Sequence, residues 1–541
     1  MLDPTVTLRL SGSGRADRLR AWIACLARVS GHRRMLQVFG PDDLPPDLRR
    51  WCADAGVELA ATLPSVQGRA DVLVLAGADD LPTPGMLHRL VAATSGSTYA
   101  WETRVLPYGA VTDSSDADPE VAPTVCLAIP GSAGDEVLGT ATPGAATSAC
   151  REAGVHVRRL DSATVFVDRR PAGTVAPVVG DDAGAPPYGH PAALPATSLH
   201  QLMGETELTP PDLPRDLEDR PFLTVITRTQ GTRLLCLEET LTCLAGQSSR
   251  DFELVLACHR VSAEALAAAR ALLGRMPAWL QEQTRVLAVE RHGRSAPLND
   301  ALDVARGRYA VMLDDDDVVT ADWVAAFAEA EARGPGTVLR SAALAQEVRP
   351  DVGEEVDGPT PVEVGPAHPV WPAEFSFVDH LWDNGSPPMT FAVPRGVFGD
   401  LGHRFDEALD TTEDWEFLLR AAIVTGVTST PAVTAVYRVW TDGEGSRHLH
   451  DAAEWAAARE AVLATVDQHV VLLPPGAARG IRDLHQALLD ERAEKFRFAG
   501  LNEQAARDLV AVNDAVVALR ARIAELEERL ARQRRRNRKP E

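Results

Sequence analysis

No two cysteines in this 541-residue chain are spaced as a CxxC pair, and the seven present (Cys25, Cys52, Cys126, Cys150, Cys236, Cys243 and Cys258) are odd in number. That argues against a four-cysteine zinc site and a disulfide framework, and a reducing compartment is the simpler expectation. No run of about 18 apolar residues occurs, so a membrane-spanning helix is not expected. The opening stretch MLDPTVTLRLSGSGRADRLR lacks the apolar core of a signal peptide. A cytoplasmic location follows as an expectation, with peripheral contact at the inner face of the cell membrane left open. Basic residues are also short: 54 Lys and Arg stand against 77 Asp and Glu, for a net charge of -23. A general nucleic-acid binder needs a basic face to neutralise phosphates, so no nucleic-acid partner is expected.

What is present is ordinary for a soluble globular protein, with 45% hydrophobic and 24% charged residues. A chain of this length exceeds what one hydrophobic core usually serves, so several domains are expected. Residues 1–170 mix amphipathic helical runs with β-rich stretches, among them ADVLVLAG ending at Gly77 and the helical GMLHRLVAAT that follows. From Pro171 to Pro221 there are ten prolines in fifty-one residues, which reads as an extended connector over 171–220 or a loop laid along both neighbours.

Residues 221–480 alternate strands and helices. FLTVITR, FELVLAC, TRVLAVE and RYAVMLD read as strands, with helical spacing between them, so a mostly parallel sheet covered by helices is expected. Residues 350–372, rich in Pro, Gly and Glu, read as a mobile loop, and 452–469 and 482–530 as helix. Within 481–541, Leu509, Val512, Val516, Leu519, Ile523, Leu526 and Leu530 repeat at alternating spacings of three and four. That is either a short coiled-coil seam, giving a homo-oligomer, or an intramolecular stripe. Arg529, Arg532, Arg534, Arg535, Arg536, Arg538 and Lys539 then form a basic end. It suits anionic lipid heads or a charged glycan intermediate, and equally a disordered solubilising tail.

The sharpest chemical signal is LDDDD at 313–317. An apolar strand delivers these acids to its carboxyl end, the usual ligand edge of an open α/β sheet. Asp314 and Asp316, two apart, can approach one Mg²⁺ or Mn²⁺, a hard ion that also coordinates a diphosphate. A solvated acidic turn is the plainer alternative. Asp315 and Asp317 either tune the ion or face water. Downstream, TTEDWEFLLRAA places Glu413 and Asp414 at the start of an amphipathic helix that Thr411 or Thr412 can cap. A carboxylate fixed there can take a proton from an attacking hydroxyl.

In this order the pieces of residues 220–450 resemble the inverting family 2 glycosyltransferases of the GT-A fold. FLTVITRT is similar to the family's first strand, where the nucleotide begins to dock, which nominates Thr227. Gln247 before FELVLAC, and Asn299, Gly307 and Asp314-Asp315-Asp316 within RSAPLNDALDVARGRYAVMLDDDD, fall on characteristic positions. The segment from MTFAVP to WEFLLR resembles the acceptor side, and YRVWTDGEGS the part that closes over the diphosphate.

The resemblance implies a Rossmann-like α/β sheet and transfer of a sugar from a nucleotide-diphosphate sugar to a glycan or glycolipid acceptor, in envelope polysaccharide or glycoconjugate synthesis. Asp314 and Asp316 become the metal and diphosphate residues, with Asp315 beside them. Asp414 becomes the general base, Glu413 orients acceptor or base, and Asn299 supports the donor pocket. Arg438 is either a diphosphate contact or a surface ion pair. One departure stands out. Where the family carries an acidic pair, this chain reads ACHRVS, so His259 is the candidate for base or ribose contact, or a loop histidine without a ligand.

The first half resembles the same family more faintly. DVLVLAGADDLPTPGMLHRLVAATSG looks like a metal strand and its helix, with Asp79-Asp80 as the acids. No Glu-Asp pair follows at the expected place. A related, degenerate domain without activity is implied, against an unrelated α/β domain. The alternatives for the whole chain are a catalytically silent carbohydrate-binding or scaffold protein and a nucleotidyl transferase.

Overall fold

The computed structural model describes residues 4–11, 16–29, 31–37, 44–60, 72–77, 81–83, 87, 90, 91, 94, 98–105, 126–130, 149, 157–167, 220–351, 360–364, 367–441, 452–467 and 477–536. The connector at 171–219, Asp79, Asp80, Arg538 and Lys539 lie outside the described residues.

The first half contains β1 (Thr5–Ser11), α1 (Ala16–Ala27), β2 (Arg33–Gln37), α2 (Pro46–Asp54), β3 (Val57–Leu59), β4 (Val72–Gly77), β5 (Leu81–Pro82), β6 (Thr98–Val105), β7 (Cys126–Pro130) and β8 (Val157–Val167). Its sheet runs β3-β2-β1-β4-β7-β6-β8-β5.

The second half opens with β9 (Leu223–Thr229), α3 (Leu234–Ala245), β10 (Phe252–His259), α4 (Ala263–Gly274), α5 (Ala278–Glu282), β11 (Thr284–Val289), α6 (Ala296–Val304) and β12 (Tyr309–Met312). It continues with β13 (Val318–Val319), α7 (Trp323–Arg333), β14 (Val338–Asp351), β15 (Thr360–Glu363), β16 (His368–Pro369), α8 (Phe377–Trp382), β17 (Phe391–Pro394), α9 (Glu413–Thr425) and β18 (Val427–Trp440). Its sheet runs β11-β10-β9-β12-β17-β14-β18-β13, with β15 and β16 added on β14.

The two orders are the same once β1 is read as β9, β4 as β12, β6 as β14, β7 as β17 and β8 as β18. Strand directions agree as well. The β1–β4 and β9–β12 pairs are parallel, β4–β7 and β12–β17 antiparallel, and β6–β8 and β14–β18 parallel. Independent α/β domains share simple parallel cores, but an eight-strand mixed order repeated in sequence is the mark of one architecture used twice. The first half repeats the strand order of the second.

The copies pack through equivalent helices, α1 against α3, and their apolar residues form one core that includes Val6, Leu8, Trp22, Leu237, Leu241 and Leu244. The backbones approach closely at the end of α3, where a Cβ added to Gly246 would lie 3.0 Å from the Ala21 Cα. Arg20 donates to the Ser248 carbonyl at 2.7 Å, and Arg250 pairs with Asp47 at 2.6 Å. Residues 1–475 form one compact unit and 476–541 a second. In the first unit, α10 (Ala452–Asp467) follows the second sheet; the second unit is α11 (Ala477–Arg536). The seam residues on α11 are exposed, Leu509 at 70%. Among the described residues no helix is long and apolar enough to cross a membrane.

One loop expectation is corrected. Thr360–Glu363 and His368–Pro369 are not free loop but antiparallel partners of the long β14. Alternation in β14 gives these short segments a ladder despite their proline content, because proline is tolerated at a sheet edge. Cys25, Cys52, Cys236, Cys243 and Cys258 are free and buried, in keeping with packing roles. Gln247 bridges helices from inside: its side-chain nitrogen donates to the Thr320 and Cys243 carbonyls, and its oxygen accepts from the Val324 N–H.

Gly307 sits where β12 enters the sheet. Its N–H donates to Thr224 Oγ1 at 2.8 Å, and an added Cβ would stand 2.4 Å from the Thr224 backbone nitrogen. Backbone cannot yield as a side-chain tip can, so Gly307→Ala is expected to cost roughly 1–3 kcal/mol as overpacking. A lowered urea midpoint checks this, and an unchanged one contradicts it.

Candidate active site

Parallel strands β9 and β12 end side by side, and this brings Arg228 and Thr229 to the acids that follow β12. Arg228 grips Asp314 with two bonds, Nε to Oδ1 at 2.8 Å and Nη2 to Oδ2 at 3.1 Å. Its remaining nitrogen, Nη1, donates to Glu413 Oε1 at 2.7 Å. One guanidinium therefore ties the strand-end acids to the first residue of α9. Arg294 adds a longer bond to the same Glu413 oxygen, at 3.3 Å. A planar fork with five donors suits this bridging, which a lysine cannot reproduce.

Behind them Arg233 holds the next two acids, Asp315 at 2.7 Å and Asp316 at 2.6 Å. Asp315 also accepts from Thr229 Oγ1, and Asp316 from the Trp440 indole N–H at 2.9 Å. Asp315 and Asp317 are buried, so neither faces water as one expectation allowed. Burial pushes the Asp315 carboxyl up to about 6, against the pull of Arg233, and raises Asp317 well above the usual range. Burial also pushes Asp314 upward, but the Arg228 guanidinium outweighs it and holds that carboxyl below its ordinary value.

Asp414 occupies the second position of α9. Its Oδ1 accepts from the Trp415 N–H at 2.8 Å and its Oδ2 from Asn384 Nδ2 at 3.2 Å. Burial, with the neighbouring Glu413 charge, pushes its carboxyl up to about 6. Glu413 goes the other way: burial raises it, but Arg228 and Arg294 prevail and keep it ionised. Adjacent carboxyls with separated proton affinities are the arrangement expected of a base beside a fixed anion.

The expected threonine cap is not formed. Thr412 takes a left-handed conformation, φ 65°, and its hydroxyl donates to the Thr411 carbonyl instead of to the helix. That conformation is costly for a β-branched residue, and it sets the entry angle that turns Asp414 toward Asn384.

The loop carrying Asn384 is pinned. Arg340, 1% exposed, donates to Ser386 Oγ and to the carbonyls of Pro372, Ala373 and Gly385. His380 bonds Ser386 from the other side at 2.8 Å.

Other nominated residues lie elsewhere. Asn299 spends its amide on the Phe405 backbone and Glu407, bracing the segment before α9 rather than a donor pocket. His259 contacts the Arg291 carbonyl at 2.8 Å, at the end of β10. Thr227 is buried in β9, and its hydroxyl has no hydrogen-bond partner. Arg438, expected at a diphosphate or the surface, is 4% exposed and paired with Glu239 at 2.6 Å. Its N–H donates to Asp317 and its Nη1 to the Asp316 carbonyl, so it acts from behind the acids. The residues 442–446 expected to close over a diphosphate lie outside the described residues.

Glu239 has a second partner, Arg28 of the first half, at 3.2 Å. A buried chain of charges, Arg28–Glu239–Arg438, thus leads from the other sheet to the acidic strand end. Removing one member leaves a buried carboxylate with half its compensation, which is costly. Arg28→Met is therefore expected to lower thermal stability and weaken ligand binding at the Asp314–Asp317 turn several-fold, with Arg28→Lys partly restoring both. Unchanged melting and binding would show that the first half is uncoupled from the site.

Among the described residues no group of three or more His, Cys, Asp or Glu could hold a metal ion. Two carboxylates, Asp314 and Asp316, are nevertheless the partial set that Mg²⁺ takes from protein when substrate phosphates complete its shell. Their side chains are 24% and 15% exposed, and hard carboxylate oxygens suit such an ion. The donor set fits, provided Arg228 and Arg233 yield.

Residues 229–341 match the family model for Glycosyl transferase family 2. Among solved structures, the chain is similar to S. aureus TarS 1–349, at 18% identity over 40% of this chain and 60% of that one, with a TM-score of 0.31. It is also similar to the same protein in complex with UDP-GlcNAc, at 18% identity over 45% and 71%, with a TM-score of 0.33. A third is mannosyltransferase PcManGT from Pyrobaculum calidifontis in complex with GDP-Man and Mn²⁺, at 18% identity over 55% and 92%, with a TM-score of 0.31. The chain spans 60% of the length of TarS 1–349. No curated protein matches.

Proposed function

We propose, from the match of residues 229–341 to the family model for Glycosyl transferase family 2, that the chain inverts the anomeric centre as it moves a sugar from a nucleotide-diphosphate donor to an acceptor hydroxyl. The observation that carries this reading is the frame in which Arg228 joins Asp314 to Glu413, next to Asp414. The frame holds a diphosphate-facing acid and a candidate base in one network, on the rigid ends of β12 and α9.

Asp414 removes the acceptor proton as the hydroxyl attacks, and Glu413 stays ionised beside it, favouring the oriented, proton-accepting state. Asp314 and Asp316 would hold Mg²⁺ or Mn²⁺, which supplies Lewis-acid neutralisation of the departing diphosphate when bound. Arg228 and Arg233, which pair with those acids, would supply positive charge for the phosphate oxygens. Asn384 aligns the Asp414 carboxylate. Most of the barrier reduction comes from positioning and fixed charge. The acceptor, on this reading, is a glycan or glycolipid, and the basic end of α11 suits an anionic surface.

Release of nucleoside diphosphate from a panel of sugar nucleotides, with and without Mn²⁺, tests the proposal. Turnover of at least one donor, stimulated by metal, is expected. Binding and turnover of none would leave the scaffold reading.

A further inference from the structure

Outside α11, the most exposed large apolar side chain among the described residues is Trp382, at 79%. A tryptophan so placed leaves a large aromatic face open to solvent, where it can contact a ligand. Its helix, α8, is otherwise well anchored: Phe377 and His380 are buried, and Leu381 packs with Trp415, Leu419 and Val462. The His380 carbonyl also accepts the Trp415 indole N–H at 2.7 Å. The backbone that presents Trp382 is thus fixed to the helix that presents Asp414.

Two residues on, Asn384 donates to Asp414. Two residues of chain separate their Cα atoms by at most about 7 Å, so the backbone that carries Trp382 runs close to the residue that contacts the proposed base. Between them Asp383 is 65% exposed. Its carboxylate accepts from the Asn384 N–H and faces Arg459 of α10, 43% exposed, at 3.5 Å.

We propose that Trp382 is the stacking platform for a pyranose ring of the acceptor, with Asp383 and Arg459 bonding its hydroxyls. A flat indole matches the apolar C–H face of a pyranose, while an acid and a guanidinium at its rim match the equatorial hydroxyls. A peptide or lipid chain would favour a continuous apolar groove. Here the aromatic surface is single and bordered by charge. The site adjoins the proposed base, and so an attacking hydroxyl on the stacked sugar, or on its neighbour, comes within reach of Asp414. The assignment rests on the sugar-transfer reading above and specifies that the acceptor carries a saccharide.

The test uses the full chain and its Trp382→Ala and Trp382→Phe variants. Two rates are read with the donor that turns over best: hydrolysis to water, and transfer to a series of methyl glycosides and short oligosaccharides. Trp382→Ala is expected to keep wild-type donor hydrolysis while the KM for the saccharide acceptor rises at least tenfold, and Trp382→Phe to recover most of the loss. An unchanged acceptor KM in Trp382→Ala overturns the proposal, as does donor hydrolysis by wild type with no transfer to any saccharide. Loss of hydrolysis and transfer together in the alanine variant also overturns it, because the residue would then be supporting the site. Absence of donor turnover in wild type is a different failure, that of the sugar-transfer reading itself.

Discussion

Asp414→Asn is expected to abolish turnover by about 10²–10⁴-fold while leaving donor affinity within a factor of two or three. An amide keeps the shape and the contact with Asn384 but cannot accept the acceptor proton. The wild-type carboxyl is pushed up to about 6 by burial and by Glu413, so kcat/KM should fall below about pH 6, where the base is protonated.

Stability should move the other way. The folded value lies above the unfolded 3.8, so the folded chain binds the extra proton between them. The stabilisation this gives is full below pH 3.8 and lost as pH rises through 6. At pH 8 the wild type holds a disfavoured carboxylate, and the asparagine variant should be more stable by roughly 1–3 kcal/mol. Thermal melts at pH 8, paired with steady-state rates from pH 5 to 8, check both halves. A variant that is inactive and also less stable at pH 8 would mark Asp414 as structural.

Asp314→Ala has the second largest expected effect, through binding. Asp314 is the acid whose two oxygens both accept from Arg228, and its loss removes one of two proposed cation ligands. Metal-dependent nucleotide affinity should fall at least tenfold, with Asp316→Ala similar. The same change frees Arg228, which remains paired to Glu413. A guanidinium released from an acid gains reach toward phosphate, so metal-independent binding should be retained or strengthened. Calorimetric titration with UDP and GDP, with and without Mn²⁺, separates these terms. Equal metal dependence in wild type and Asp314→Ala would remove Asp314 from the ligand set.

Much of the second sheet was legible because its strands are short apolar runs ending in turn residues. FLTVITR, FELVLAC and RYAVMLD became β9, β10 and β12 within a residue or two, and the acids after β12 lie at the expected edge. The pairing order was not legible from periodicity, since alternation says which face is buried and not which strand is adjacent. The shared order of both sheets is therefore an observation that the thin acidic motif of the first half did not contain.

The site was read in part. Its carboxylates stood out because they cluster in sequence. Arg228, Arg233, Arg294 and Asn384 did not, because their partners lie 30 to 185 residues away in the sequence. One signal was available: Arg228 interrupts an otherwise apolar and threonine-rich strand, where a charge needs a buried partner. Thr412 misled for a related reason. Its residue type favours a cap, but the fold spends that position on a left-handed turn that aims Asp414.

The central claim, single displacement with Asp414 as base, is tested most directly by the configuration of the first product. Proton NMR of the sugar released early from an α-linked nucleotide donor, before mutarotation, should show the β anomer. Retention of the α configuration would contradict the account.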